Sequence, residues 1–135
     1  MPPALTPALA VDYVRELSAD VRAVVVLDAG GLLAGPQALA APVRALLDAA
    51  AAAELEAVTD AGVVCAVRSA THAAVAVCGR FALPGVVRED LRAALAGLAG
   101  DPPPPAPNAV PDAADDALRV AAERLISAVQ SQSEA

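Results

Sequence analysis

Apolar positions recur along this chain with two different periods, and the switches between them predict an order of elements. Thr6 stands as an N-cap before Pro7, and Leu9, Tyr13 and Leu17 follow at intervals of four with Ala10 and Val14 beside them. That spacing predicts an amphipathic helix over about 7–18, with Leu9, Tyr13 and Leu17, and Ala10 and Val14 beside them, as its apolar positions. Val21-Arg-Ala-Val-Val-Val-Leu27 is β-branched and short, as a strand covered on both faces would be. Asp28-Ala-Gly-Gly31 reads as a turn, and Leu32 to Gly35 as a returning strand, so the segment predicts a β-hairpin.

After Pro36 the period becomes helical. Leu39, Val43, Leu46, Leu47 and Ala50 form one stripe, with Arg44 and Asp48 off it. Pro42 either kinks this helix or marks its first turn. The alanines at 49–53 extend the expected helix to about Glu54. Three strands are then expected at Leu55–Thr59, Val63–Ser69 and His72–Gly79, separated by Asp60-Ala-Gly62 and by Ser69-Ala-Thr71. In these strands both alternating sets are largely apolar, and a sheet with two apolar faces needs helices on each side.

A third helix is expected from about Leu83 to Leu98, with Val87, Leu91, Leu95 and Leu98 on one face and Gly100 as its stop. Asp101-Pro-Pro-Pro-Pro105-Ala-Pro107-Asn-Ala-Val-Pro111 has the composition of a polyproline linker. The division expected is a domain over 1–100, a linker over 101–111, and a C-terminal amphipathic helix and tail over 112–135. On that division a chain ending at Gly100 should stay folded. The last helix carries Leu118, Ala121, Leu125, Ile126 and Val129 at helical spacing, a stripe that either docks on its own domain, a dimer mate or a partner, or leaves the helix marginal in water. Docking within a homo-oligomer is the reading placed first.

Composition narrows the class. The chain has 135 residues and is 57% hydrophobic, yet it has one Tyr, one Phe and no Trp. About a quarter of it is alanine, which adds little buried area, so the core is thinner than the hydrophobic fraction suggests. All nine basic residues are arginine, and the net charge is -7. That balance argues against nucleic acid as a partner. Glycines and prolines interrupt the longest uncharged stretch, so no membrane span is expected, and the proline-rich N-terminus lacks the basic region of a secretory signal. A cytoplasmic location with Cys65 and Cys78 as reduced, buried thiols is the corresponding expectation.

The order helix, two strands, helix, three strands, helix resembles the roadblock/LC7 family, which includes dynein-light-chain-like and bacterial small-GTPase-regulator-like domains. The residues carrying the resemblance are Tyr13-Val-Arg-Glu-Leu17, Val21 to Leu27 with Asp28-Ala-Gly-Gly-Leu-Leu-Ala-Gly35, Val75-Ala-Val-Cys78 and Asp90-Leu-Arg-Ala-Ala-Leu95. Profilin-like and longin-like folds share much of this order. The resemblance implies an α+β fold: a five-stranded antiparallel sheet sandwiched by helices, the first and third on one face and the second on the other. It also implies a homodimer in which second helices pack together and third strands pair across a two-fold axis. Mapped here, that interface takes Leu39, Val43, Leu46, Leu47 and Ala50 from the helix and Leu55, Ala57 and Val58 from the strand. Glu54 and Glu56 complicate it, because symmetric pairing can oppose like charges.

Candidate chemistry is sparse. His72 is the single histidine and reads as a strand-start residue; Ser69 and Thr71 read as turn residues. One His and two Cys lack metal-ligand spacing, and Asp28-Ala-Gly-Gly31 lacks the Lys and Ser/Thr of a phosphate loop. Arg80 in Gly79-Arg80-Phe81 could reach a partner's nucleotide as an arginine finger but reads first as a solvated or helix-capping residue. Arg88 and Arg92 read as a solvated helix face beside Glu89 and Asp90. The expected function is therefore a non-enzymatic homodimeric interaction module without catalytic, metal or cofactor sites, regulating or scaffolding a Ras-like small GTPase. A small-molecule-sensing or purely structural dimerisation domain is the alternative.

Overall fold

The computed structural model describes residues 6–17, 20–49, 53–69, 71–99 and 116–133. The chain is α+β. Helix α1 (Pro7–Leu17) leads into strands β1 (Val21–Asp28) and β2 (Gly31–Ala34); a 3-10 turn (Gln37–Leu39) then opens α2 (Ala40–Ala49). Strands β3 (Glu54–Thr59), β4 (Gly62–Arg68) and β5 (His72–Cys78) follow, then α3 (Pro84–Ala99) and α4 (Asp116–Ser133). The five strands form one open antiparallel sheet in the order β2-β1-β5-β4-β3.

Strand alternation sorts the core into two layers. Val24, Val26, Val63, Cys65, Val67, Ala74 and Ala76 face α1 and α3. Val25, Leu27, Leu55, Ala57, Val64, Ala66, Val75 and Val77 face α2 and α4. The three interior strands, β1, β5 and β4, are thus buried on both faces, which is why polar residues in them stand only near their ends.

Three expectations change. In α1 the face packed on the sheet is Ala10, Val11 and Val14, while Leu9, Tyr13 and Leu17 are exposed. Small residues let the helix backbone approach the valine surface, so the larger stripe turns outward. The second helix ends at Ala49 rather than near Glu54, and Glu54 opens β3. Pro42 lies in the first turn of α2, where its missing N–H leaves no bond unmade.

The third change concerns α4. It packs against α2 on the sheet face that also carries β3, and Leu118, Ala122, Leu125, Ile126 and Val129 are buried in the same cluster as Leu39, Val43, Leu46 and Leu55. The residues assigned to the linker, 101–111, lie outside the described ones. The helix beyond them shares a core with the rest of the chain, because α2 alone leaves β3 and β4 uncovered on that face.

Two glycines fix close approaches. A Cβ on Gly62, at the start of β4, would stand 2.5 Å from the Cys78 carbonyl oxygen. Gly35 has φ +109°, and a Cβ there would stand 2.6 Å from the Val24 carbonyl oxygen.

Candidate functional site

β3 ends the sheet, and no other described strand pairs with its outer side. Its turn into β4 is held by Thr59, whose Oγ1 donates to the Gly62 carbonyl (3.0 Å) and accepts from Ala61 N (3.1 Å). At the other end Arg68 N donates to the Ala53 carbonyl at 2.7 Å. In the observed register Glu54 opposes Val67 and Thr59 opposes Gly62. Antiparallel hydrogen bonding alternates along a strand, so 53, 55, 57 and 59 bond to β4, and the N–H and C=O groups of Glu54, Glu56 and Val58 point away from the sheet.

The side chains divide the same way. Leu55 and Ala57 are buried on the α2/α4 face. Glu54, Glu56 and Val58 lie on the α3 face. Arg88 Nη1 donates to Glu54 Oε1 at 2.8 Å, Arg92 Nε stands 2.9 Å from Glu54 Oε2, and Arg88 Nε stands 3.3 Å from Glu56 Oε2. Both Nε contacts have ion-pair distance without hydrogen-bond alignment, so the Arg88–Glu54 bond is the directional one. The Glu54 side chain is only 4% exposed. Burial alone would lower the Arg88 pKa, but the hydrogen bond to Glu54 and the charges of Glu56 and Glu54 outweigh it and raise the value.

These arginines are therefore ion-pair partners and not a solvated face. Two carboxylates meet two guanidiniums, and the acidic edge is neutralised from within the chain. The signal was present in the sequence as acids two apart on a strand and arginines four apart on a helix, each spacing putting both members on one face. Nothing local linked the two segments.

Val58 closes the α3 side of the edge and is 58% exposed. Val58 opposes Val63, and Val63 opposes Cys78, where β5 ends. The loop leaving Cys78 carries Phe81, 83% exposed with the Arg80 guanidinium 5.7 Å from its ring centroid, and then the exposed Leu83. This end of the sheet thus exposes the apolar side chains of Val58, Phe81 and Leu83.

Of the residues mapped to a dimer interface, Leu39, Val43, Leu46, Leu47, Leu55 and Ala57 are buried within the single chain, and Ala50 lies outside the described residues. α4 occupies the surface that a second copy's helix was expected to cover. What remains accessible is the edge of β3 and Val58.

The opposite end of the sheet holds a polar cavity of about 230 Å³ lined by Asp28, Arg44, Asp48, Arg68 and His72, among others. His72 Nδ1 is 2.7 Å from Thr71 Oγ1. Ser69 Oγ accepts from His72 N at 3.0 Å, and Asp28 Oδ1 accepts from Gly30 N at 2.8 Å. Arg68 Nη2 donates to the Leu47 carbonyl, closing the last turn of α2. Asp28 opposes His72 in register, but no ion pair joins them among the described residues. Ser69, Thr71 and Asp28 thus hold turns here.

Cys65 and Cys78 are free and buried. Burial, with a smaller contribution from Asp20, pushes the Cys78 thiol up to about 12, and burial likewise raises Cys65. Among the described residues no cluster of His, Cys, Asp and Glu is arranged to hold a metal ion, and no helix is long and apolar enough to cross a membrane.

Compared with known proteins, the chain matches no family model, no curated protein and no solved structure.

Proposed function

We propose that this chain is a non-enzymatic interaction module that self-associates edge to edge through β3, extending its sheet into that of a second copy. The observation that carries the reading is the charge-neutral outer edge: the backbone groups of Glu54, Glu56 and Val58 point outward while Arg88 and Arg92 compensate both carboxylates. An exposed, unpaired edge is a template for strand addition, and proteins that avoid it usually place uncompensated charge there. The like-charge conflict anticipated for a two-fold pairing is met within each copy.

The pairing is tested by light scattering across micromolar concentrations. Val58→Pro removes an outward N–H and leaves the β4 ladder intact, so it should give a folded monomer from a dimeric parent. A wild-type chain that is monomeric throughout overturns the reading.

The resemblance supports a Ras-like small GTPase as the client of this dimer, with the module acting as regulator or scaffold. Binding of purified small GTPases in each nucleotide state, with hydrolysis followed in parallel, tests that step separately from dimerisation.

A further inference from the structure

The described arginines divide by what they face. Arg88 and Arg92 meet Glu54 and Glu56; Arg119 lies 3.2 Å from Asp116 and 3.7 Å from Glu123; Arg68 is spent on the Leu47 carbonyl. Arg80 lies over Phe81, and Arg44 and Arg124 border cavities that also hold aspartates. Arg15 and Arg22 border one that holds none. Arg15 sits in the last turn of α1, and Arg22 sits where the register of β1 against β5 shifts between Val21 and Ala23. Both line one cavity of about 270 Å³, together with Gly35 and with Val129 and Gln132 of α4.

No carboxylate lines this cavity, and neither arginine has an ion pair or hydrogen bond to another described residue. In a chain with 16 acidic residues against nine arginines, two arginines lining a concave site that has no acid in its wall are the exception. Packing, not an acid, places one of them: the Arg22 guanidinium lies over Gly79, where a Cβ would stand 3.6 Å from Nη2.

We propose that this cavity binds a small phosphate-bearing ligand, inorganic phosphate or a phosphate monoester. Each guanidinium offers a planar fork of donors, and Gln132 adds an amide. One such fork saturates a carboxylate, whereas two forks and an amide match the three or four oxygens of a phosphate. The volume lies near the roughly 300 Å³ at which pockets begin to hold drug-sized ligands, which favours a ligand with a small organic remainder. The C-terminal end of α4 brings its negative dipole end close, which opposes an anion, so binding depends on both arginines together. Because α1 and α4 cover opposite faces of the sheet, an occupied site ties the two layers at this end. None of this depends on β3 pairing.

Thermal unfolding of the full chain is followed at constant ionic strength with inorganic phosphate, glycerol 3-phosphate, acetate or chloride, and sedimentation with vesicles containing phosphatidic acid. Phosphate and its monoester should raise the midpoint saturably by roughly 3 °C or more, and acetate should not. Arg15→Gln and Arg22→Gln alter exposed side chains, so each should keep the ligand-free midpoint and lose the response. Amide exchange in the second half of α4 should slow with phosphate in the wild type alone. Arginine-dependent vesicle binding without a response to soluble phosphate assigns the phosphate to a lipid headgroup and upholds the site. Equal midpoint shifts with acetate, a response retained in the double variant, or no response from either phosphate source overturns it.

Discussion

Arg88 on α3 and Glu54 on β3, 34 residues apart in sequence, share a 2.8 Å hydrogen bond that fixes the helix against the outermost strand. Glu54 is nearly sealed from solvent, and Arg92 contacts its second oxygen. Removing either arginine leaves a buried carboxylate undercompensated. Arg88→Ala should therefore destabilise the fold by about 3 kcal/mol, whereas Glu54→Leu combined with Arg88→Met and Arg92→Met should cost much less, because the desolvated carboxylate and both guanidiniums that face it go together. Urea unfolding of the single and triple variants checks this.

The buried α2 stripe carries a different expectation from a subunit contact. Leu46 is 1% exposed between the sheet and α4, so Leu46→Glu places an unpaired charge in the core. It should abolish cooperative unfolding at any protein concentration. Dissociation into folded monomers, seen by circular dichroism with light scattering, would instead place Leu46 at an interface.

α4 is the removable part of that core. Truncation after Gly100 exposes Leu55, Val64 and their neighbours, and should yield a chain that binds a hydrophobic dye and melts without a sharp transition. Leu125→Ala samples the same contact more gently, with an expected loss of about 2–4 kcal/mol. The two results together measure how much of the fold the helix holds.

Alkali should destabilise the protein through its thiols. The folded-state pKa of Cys78 is raised from 9.0 to about 12, so the stability it contributes is full below about pH 9 and lost as pH climbs toward 12, where the unfolded chain has already released the proton. Each thiol contributes a slope of about 1.4 kcal/mol per pH unit in that window. Cys78→Ala should flatten the decline in denaturation midpoints measured from pH 8 to 10.5.

Gly62→Ala tests the tightest backbone approach. Its Cβ would press on the Cys78 carbonyl, and the strand pair must open to admit it. A loss of about 2 kcal/mol is expected in thermal unfolding, without change in the α2 layer.

How far the sequence carried is clearest from α1. Two apolar stripes run along it, and side-chain size favours Leu9, Tyr13 and Leu17; the sheet instead takes Ala10, Val11 and Val14 because close backbone approach buries more of its valines. The alanines after Ala49 are strong helix formers, yet Glu54 is held in β3 by its pairing with Val67 and by two arginines, contacts no local rule contains. Short apolar runs bounded by turn residues located all five strands, since both signals are local properties. The candidate edge was legible as Leu55 to Thr59; its neutralisation was not, because it depends on α3 meeting β3.

The strand order also sets a timetable. β3, β4 and β5 are joined by short turns and can zip as a meander, but β1 must find β5 across a long excursion, Val26 meeting Ala74, 48 residues further along. Closing so large a loop comes before the reward of burying the valines, and such non-local pairing slows folding. During synthesis the run Val24 to Leu27 therefore has β2 on one side and an open edge on the other until β5 has been made, and over that interval the open edge is exposed to aggregation and a natural target of a chaperone.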